Sequence, residues 1–314
     1  MVPAILFAAV FMAVNAFIII KGVEGGIEKF NKVGMPALFV ILIVLLARTI
    51  TLDGAQVGFA YMLSCDWSKV GFNTFLSALG QAFFSLSLGM AIMITYGSYL
   101  PKHENLGKNT ALICTMDTLV ALIAGFIIVP AVFATLGSEN VGKGGGFAFA
   151  SLAGVFEHMA GGAFFGVLFY MLLLFAALTS SIALTESAVS TLQDELHWSR
   201  KKATSIMGVS MVLLGSLSSL GYGPLANVTV IGMQFLDFFD FLTNSVMMPI
   251  AAIASCILVS RVIGVDRIAD EVTLNGAPFR RRKVFNAMIR FLCPFFAAII
   301  LISSIASAFG WISM

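Results

Sequence analysis

An all-α, polytopic membrane protein of about eight transmembrane helices is the fold class the sequence predicts, and three observations predict it. Of its 314 residues, 59% are hydrophobic and only 11% charged, against roughly 25% charged in soluble chains. Mean hydropathy is +0.99, and phenylalanine alone occurs 29 times. The apolar residues run on without the period-two alternation that porin-type strands require. A net charge of +2 is too small to suggest nucleic acid. Cys65, Cys114, Cys256 and Cys293 are scattered, with only Cys65 outside an apolar run. That spacing gives neither a disulfide framework nor a metal site.

Taken in order, the apolar stretches give spans over about 3–20, 33–52, 74–99, 109–135, 162–193, 203–221, 229–262 and 285–313, each near the ~20 residues that cross hydrocarbon. The first has no basic lead and no small-residue cleavage site, so it reads as a mature span rather than a signal peptide. Lys21, Lys29 and Lys32, then Lys102 and Lys108, then Arg200–Lys202, then Arg261, Arg267 and Arg280–Lys283 fall in alternate loops. Only Lys69, Lys143 and Arg48 fall on the other side. Basic residues favour the cytoplasm, so loop 21–32 is placed there and both termini outside. An N-terminal span with its start outside reads as the continuation of something longer.

The third span carries Gln81, Ser85, Ser87 and Gly89 at its middle. Small polar residues with a glycine weaken helix preference, and a break there is tolerable where freed backbone groups line a cavity. Close packing on neighbouring helices through the same small residues is the alternative. In the fifth span, Ala176, Thr179 and Ser180 stand at i, i+3 and i+4 on one face. Their hydroxyls and carbonyl are hard oxygen ligands suited to a small hard cation, though Ser and Thr also bond between membrane helices.

Four carboxylates lie within spans: Asp117, Glu186, Asp237 and Asp240. Each should face the bundle interior or water. With no Lys or Arg placed deep in a span, Asp117 calls for a bound cation or a proton. Glu186, toward the cytoplasmic half of its helix, suits snorkelling or a structural hydrogen bond. The loop 136–161 holds Gly142 and Gly144–Gly146, then the apolar run 147–156. That run is too short to span and reads either as re-entrant or as an ordinary packed helix.

Three stretches carry a resemblance over essentially the whole chain: Gly80-Gln-Ala-Phe-Phe-Ser-Leu-Ser-Leu-Gly89 with Thr95-Tyr-Gly-Ser-Tyr99; Phe175-Ala-Ala-Leu-Thr-Ser-Ser-Ile-Ala-Leu184; and Asp194-Glu-Leu-His-Trp-Ser-Arg200. A looser match runs from Asp117 through Gly125 to Pro130. Together they resemble the neurotransmitter:sodium symporter family, in its bacterial amino-acid transporter branch. The resemblance implies a LeuT-like inverted-repeat fold with broken helices at the substrate site. It casts the eight spans as family helices 4 to 11: residues 1–52 as helices 4–5, the remainder of the first repeat; 74–262 as the second repeat, helices 6–10; and 285–313 as helix 11. Helices 1–3, which function would need, are absent, and the chain reads as the carboxy-terminal part of a transporter.

The resemblance implies roles as well. One sodium site takes Ser85 and Asp117. A second takes the Ala176 carbonyl with Thr179 and Ser180. Phe84, Ser87, Met90, Ser181 and Leu184 line the substrate pocket, with Phe84 as an aromatic lid, and Asp240 is an outer-gate carboxylate. Chloride-dependent relatives carry Ser where Ala121 stands, so chloride is not expected. The implied activity is sodium-coupled symport of a neutral, hydrophobic or aromatic amino acid across the bacterial inner membrane, in the lipid bilayer, with a homodimer compatible with the family. The competing readings are a non-transporting fragment and, remotely, an intramembrane hydrolase. His103, His158 and His197 lie in loops or at helix ends, and Asp117 lies in the opposite membrane half from Asp237 and Asp240, which disfavours the hydrolase.

Overall fold

The computed structural model describes residues 2–64, 66–137, 147–274 and 276–309. Cys65, Gly142, Lys143 and Gly144–Gly146 lie outside the described residues. The architecture is all-helical. Six helical stretches among the described residues are long and apolar enough to cross a membrane. Two further predicted spans form α1 (Val2–Ile20) and the broken pair α4 (Phe72–Ser85) and α5 (Ile92–Ser98).

The chain divides into two compact units. The first comprises residues 1–20, 70–114 and 183–314. In it α1 packs on α9 (Arg200–Gly221). The seventh span is one helical run made of α10 (Phe235–Asp240), a π-helical turn, α11 (Met248–Ile257) and a second π-helical turn ending at Ile263. It starts later than residue 229. Val230 and Met233 pair across a turn whose central residues, Ile231 and Gly232, have φ of 52° and 76°, the left-handed pair of a tight hairpin. After α12 (Val265–Thr273), the last span runs through α13 (Arg282–Ala287), a π-helical turn and α14 (Cys293–Ala308). α14 packs on α11.

The last span also adds a basic residue to the charge reading. It contains Arg290, exposed, on the π-helical turn, near the start of the span rather than deep within it. A single arginine inside a strongly apolar window does not interrupt the pattern from which the span is read.

The second unit comprises residues 21–69 and 115–182. Leu38, Leu42 and Leu45 form the buried stripe of α2 (Lys29–Ile50), spaced as one helix face requires. They pack with Ile127, Ala131 and Val132 of α6 (Leu106–Leu136), Leu152 and Val155 of α7 (Phe147–His158), and Phe169 and Leu172 of α8 (Gly162–Leu196). The apolar run 147–156 is therefore an ordinary helix on this core. α3 (Ala55–Leu63) meets α6 closely: a Cβ on Gly58 would stand 2.4 Å from the Pro130 Cα, so only glycine fits.

Candidate functional site

The third span breaks where its small polar residues cluster. α4 ends at Ser85, and Leu86–Ala91 turn before α5 begins at Ile92. The Leu88 N–H donates to the Phe83 carbonyl at 3.0 Å, and the Ser87 N–H to the Phe84 carbonyl at 3.0 Å. This nested pair is a Schellman cap, which needs a left-handed residue at the position of Ser87. Ser87 has φ of 54°, Gly89 of 82° and Ala91 of 59°. Left-handed non-glycine residues cost roughly 1–2 kcal/mol each, so surrounding packing holds the break in place. Gly89 shows how: a Cβ there would lie 2.5 Å from the Met248 carbonyl oxygen. The turn presses backbone to backbone against the start of α11, which no side chain permits.

A cavity of about 340 Å³ opens beside this break. Gln81 and Phe84 of α4, Asp240 and Asn244 of the seventh span, and Ser304 of α14 contribute to its wall. Asn244 Nδ2 donates to Asp240 Oδ1 at 2.6 Å, which fixes the carboxylate one helical turn away. Two residues with family-implied roles, Phe84 and Asp240, thus meet in one cavity. Ser87 and Met90 sit half-buried within the break itself, and Ser85 half-buried at the end of α4.

The fifth-span residues divide between the units. Ala176, Thr179, Ser180 and Ser181 lie in the second unit with Asp117, whereas Leu184 belongs to the first. Thr179 Oγ1 donates to the Ala176 carbonyl at 3.0 Å. This bond uses the hydroxyl proton and leaves lone pairs on both oxygens, so the two groups remain available to a cation. Thr179 is half-buried and Ser180 exposed.

A second constellation gathers around Glu186, whose partners were not foreseen. Glu186 on α8 is 0% exposed. Arg200, at the start of α9, reaches it with Nη2 on Oε2 at 2.6 Å and Nη1 on Oε1 at 3.1 Å. The Tyr99 hydroxyl donates to Oε1 at 2.8 Å. Beside them the Thr95 hydroxyl donates to that of Ser187 at 3.3 Å. Arg200 Nε also donates to the Ile19 carbonyl at 2.7 Å, tying α1 into the cluster. Glu186 therefore serves as a structural hydrogen-bond centre and does not snorkel. The signal was present in sequence, since Tyr99 and Arg200 close two of the three most specific stretches.

A family model for the sodium:neurotransmitter symporter family matches residues 2–310. An uncharacterised sodium-dependent transporter of Haemophilus influenzae is 36% identical over 302 residues, covering 96% of this chain and 65% of its own length. The uncharacterised sodium-dependent transporter YhdH of Bacillus subtilis is 35% identical over 298 residues, with 94% and 65% covered. The chain thus spans about two thirds of the length of these relatives. The crystal structure of MhsT in complex with L-phenylalanine superposes with a TM-score of 0.85 at 37% identity, covering 96% of this chain and 68% of that one. On the match across nearly its whole length, the chain belongs to the sodium:neurotransmitter symporter family.

Proposed function

We propose that this chain forms part of a sodium-coupled symporter of a neutral, hydrophobic or aromatic amino acid in a bacterial inner membrane. The broken third span carries the reading. The Schellman cap satisfies the Phe83 and Phe84 carbonyls, but a break in the middle of a membrane span still leaves the first N–H groups of α5 and the last carbonyls of the turn without helical partners, where lipid cannot satisfy them. Such ends suit a sodium ion and an amino-acid zwitterion, whose charges meet the opposed helix dipoles. Phe84, Ser87 and Met90 around the break, with Ser181 and Leu184 of α8, are the substrate residues in this reading. That MhsT was crystallised with L-phenylalanine supports an apolar amino acid as cargo.

Two sodium sites are assigned. One uses Ser85 and Asp117, the other the Ala176 carbonyl with Thr179 and Ser180. All of these ligands are hard oxygens. Asp117 brings its own negative charge and Ala121 offers no hydroxyl, so chloride has no role in this scheme. The deciding experiment is uptake of labelled phenylalanine, leucine and alanine by proteoliposomes containing the chain completed with family helices 1–3, in sodium against choline. Uptake that needs sodium supports the proposal; equal uptake in choline, or none for any amino acid with sodium, removes it.

A further inference from the structure

Two arginines near the ends of the last two spans lie at one depth. Met248, Pro249, Ile300 and Ser304 line the same cavity, which fixes the level of α11 against α14. Twelve residues on from Pro249 is Arg261; twelve back from Ile302, midway between Ile300 and Ser304, is Arg290. The π-helical turns that carry them, Leu258–Ile263 and Met288–Leu292, pack on each other. Both arginines are exposed.

Their surroundings are apolar. Val262 is 73% exposed and Phe291 71%, so each arginine adjoins a strongly exposed apolar side chain. No Asp or Glu occurs between 241 and 263 or between 282 and 308, so neither helix offers a carboxylate at this depth. At the start of α12, Asp266 pairs with Arg282; Asp270 and Glu271 follow later on the same short helix, beyond Gly264. Orientation by basic loops does not account for Arg290 either. It stands eight residues inside the span that begins at Arg282, about 12 Å along the axis. The previous span leaves the membrane at Ile263, where Gly264 turns the chain with φ of 89°. The pair therefore sits at the boundary between hydrocarbon and headgroups.

From this juxtaposition we infer that Arg261 and Arg290 form a binding site for an anionic phospholipid. The guanidinium groups take the headgroup phosphate, for which their planar donor forks are suited. The acyl chains lie along exposed Leu258, Val262, Phe291 and Phe295. A soluble anion lacks the chains that this apolar surround rewards, so the lipid is the ligand. The site is independent of the transport reading.

The test is native mass spectrometry of the purified full chain in detergent doped with phosphatidylglycerol or phosphatidylcholine. Arg261→Gln with Arg290→Gln should weaken phosphatidylglycerol binding, about fivefold for each charge removed, and leave phosphatidylcholine adducts unchanged. Arg280→Gln with Arg281→Gln, which removes the same charge from the preceding loop, should change either by less than about twofold. Arg290→Lys keeps the charge and the fold but loses the fork, and should weaken phosphatidylglycerol measurably. An equal loss in the loop variant, no loss in the Arg261/Arg290 variant, or displacement of the lipid by millimolar inorganic phosphate would each overturn the assignment.

Discussion

Arg200 holds Glu186 with both terminal nitrogens, and the two partners differ in their access to water: the Glu186 side chain is 0% exposed and that of Arg200 22%. The pair joins α8 to α9, and Tyr99 and the Ile19 carbonyl extend it to α5 and α1. The asymmetry in exposure makes the two single substitutions unequal. Arg200→Ala strands a fully buried carboxylate and should cost about 3–5 kcal/mol. Glu186→Gln leaves an arginine that still reaches the Ile19 carbonyl and some water, and should cost less. Replacing both by methionine should recover most of the loss, because a buried pair gains little over apolar packing. Unfolding in detergent, followed by tryptophan fluorescence, ranks the three variants. A Glu186→Gln variant less stable than Arg200→Ala contradicts the account.

The break in the third span separates stability from binding. Gly89→Ala puts a methyl group 2.5 Å from the Met248 carbonyl oxygen at φ of 82°, and should destabilise by about 2–3 kcal/mol. Ser87→Gly relieves a left-handed serine and should leave stability equal or raised by up to about 1 kcal/mol. Ser87 is also assigned to the substrate pocket, so Ser87→Gly should weaken amino-acid binding while the protein stays folded. Thermal unfolding paired with a ligand-binding assay tests both halves. A Ser87→Gly protein with unaltered binding takes that residue out of the pocket.

Much of this architecture was legible because a membrane constrains sequence hard. Runs of apolar residues marked the spans, and Ser85, Ser87 and Gly89 marked where the third span could break, with close helix packing through the same small residues as the alternative. What escaped depends on pairing across space. Glu186 and Arg200 are separated by a helix end at which His197 turns with φ of 52°, and no periodic pattern crosses such a turn. Arg290 was absorbed into an apolar window. The run 147–156 was equally consistent with a re-entrant segment until Leu152 and Val155 were seen in the second unit's core. The sodium and substrate roles came from resemblance, because hydroxyls at i, i+3 and i+4 also serve ordinary helix packing.

The hydroxyl pair on α8 gives a direct test of the second sodium site. Thr179 already donates its proton to the Ala176 carbonyl, so its lone pairs are oriented without further ordering. Thr179→Ala removes one oxygen ligand and frees the carbonyl at once; Ser180→Ala removes one ligand only. Each should raise the sodium concentration for half-maximal uptake, by about tenfold if the ligand contributes ~1.4 kcal/mol. Thr179→Ala should have the larger effect. Thr179→Ser keeps the oxygen and should stay near the parent. Sodium titration of uptake at fixed amino acid, with the chain completed by family helices 1–3, measures all three, and an unchanged midpoint for both alanine variants removes the site.

Asp117 and Ala121 stand four residues apart on α6, so they lie on one helix face. A carboxylate within a span is costly unless a cation compensates it, and a sodium ion bound there in turn needs negative charge. In the proposed site Asp117 supplies that charge from the protein. A neutral amide at the same position would still offer an oxygen ligand but no charge, and an external anion would have to make up the difference. A serine hydroxyl at position 121 is what such an anion would need as a donor. With the chain completed by family helices 1–3, the parent should therefore take up amino acid equally in chloride and in gluconate. Asp117→Asn should lose most uptake in both buffers. Asp117→Asn combined with Ala121→Ser should regain uptake in chloride alone. Buffer-dependent uptake of the three proteins, at matched expression, decides the matter. A parent that already requires chloride would show that the Asp117 carboxylate does not stand in for the anion.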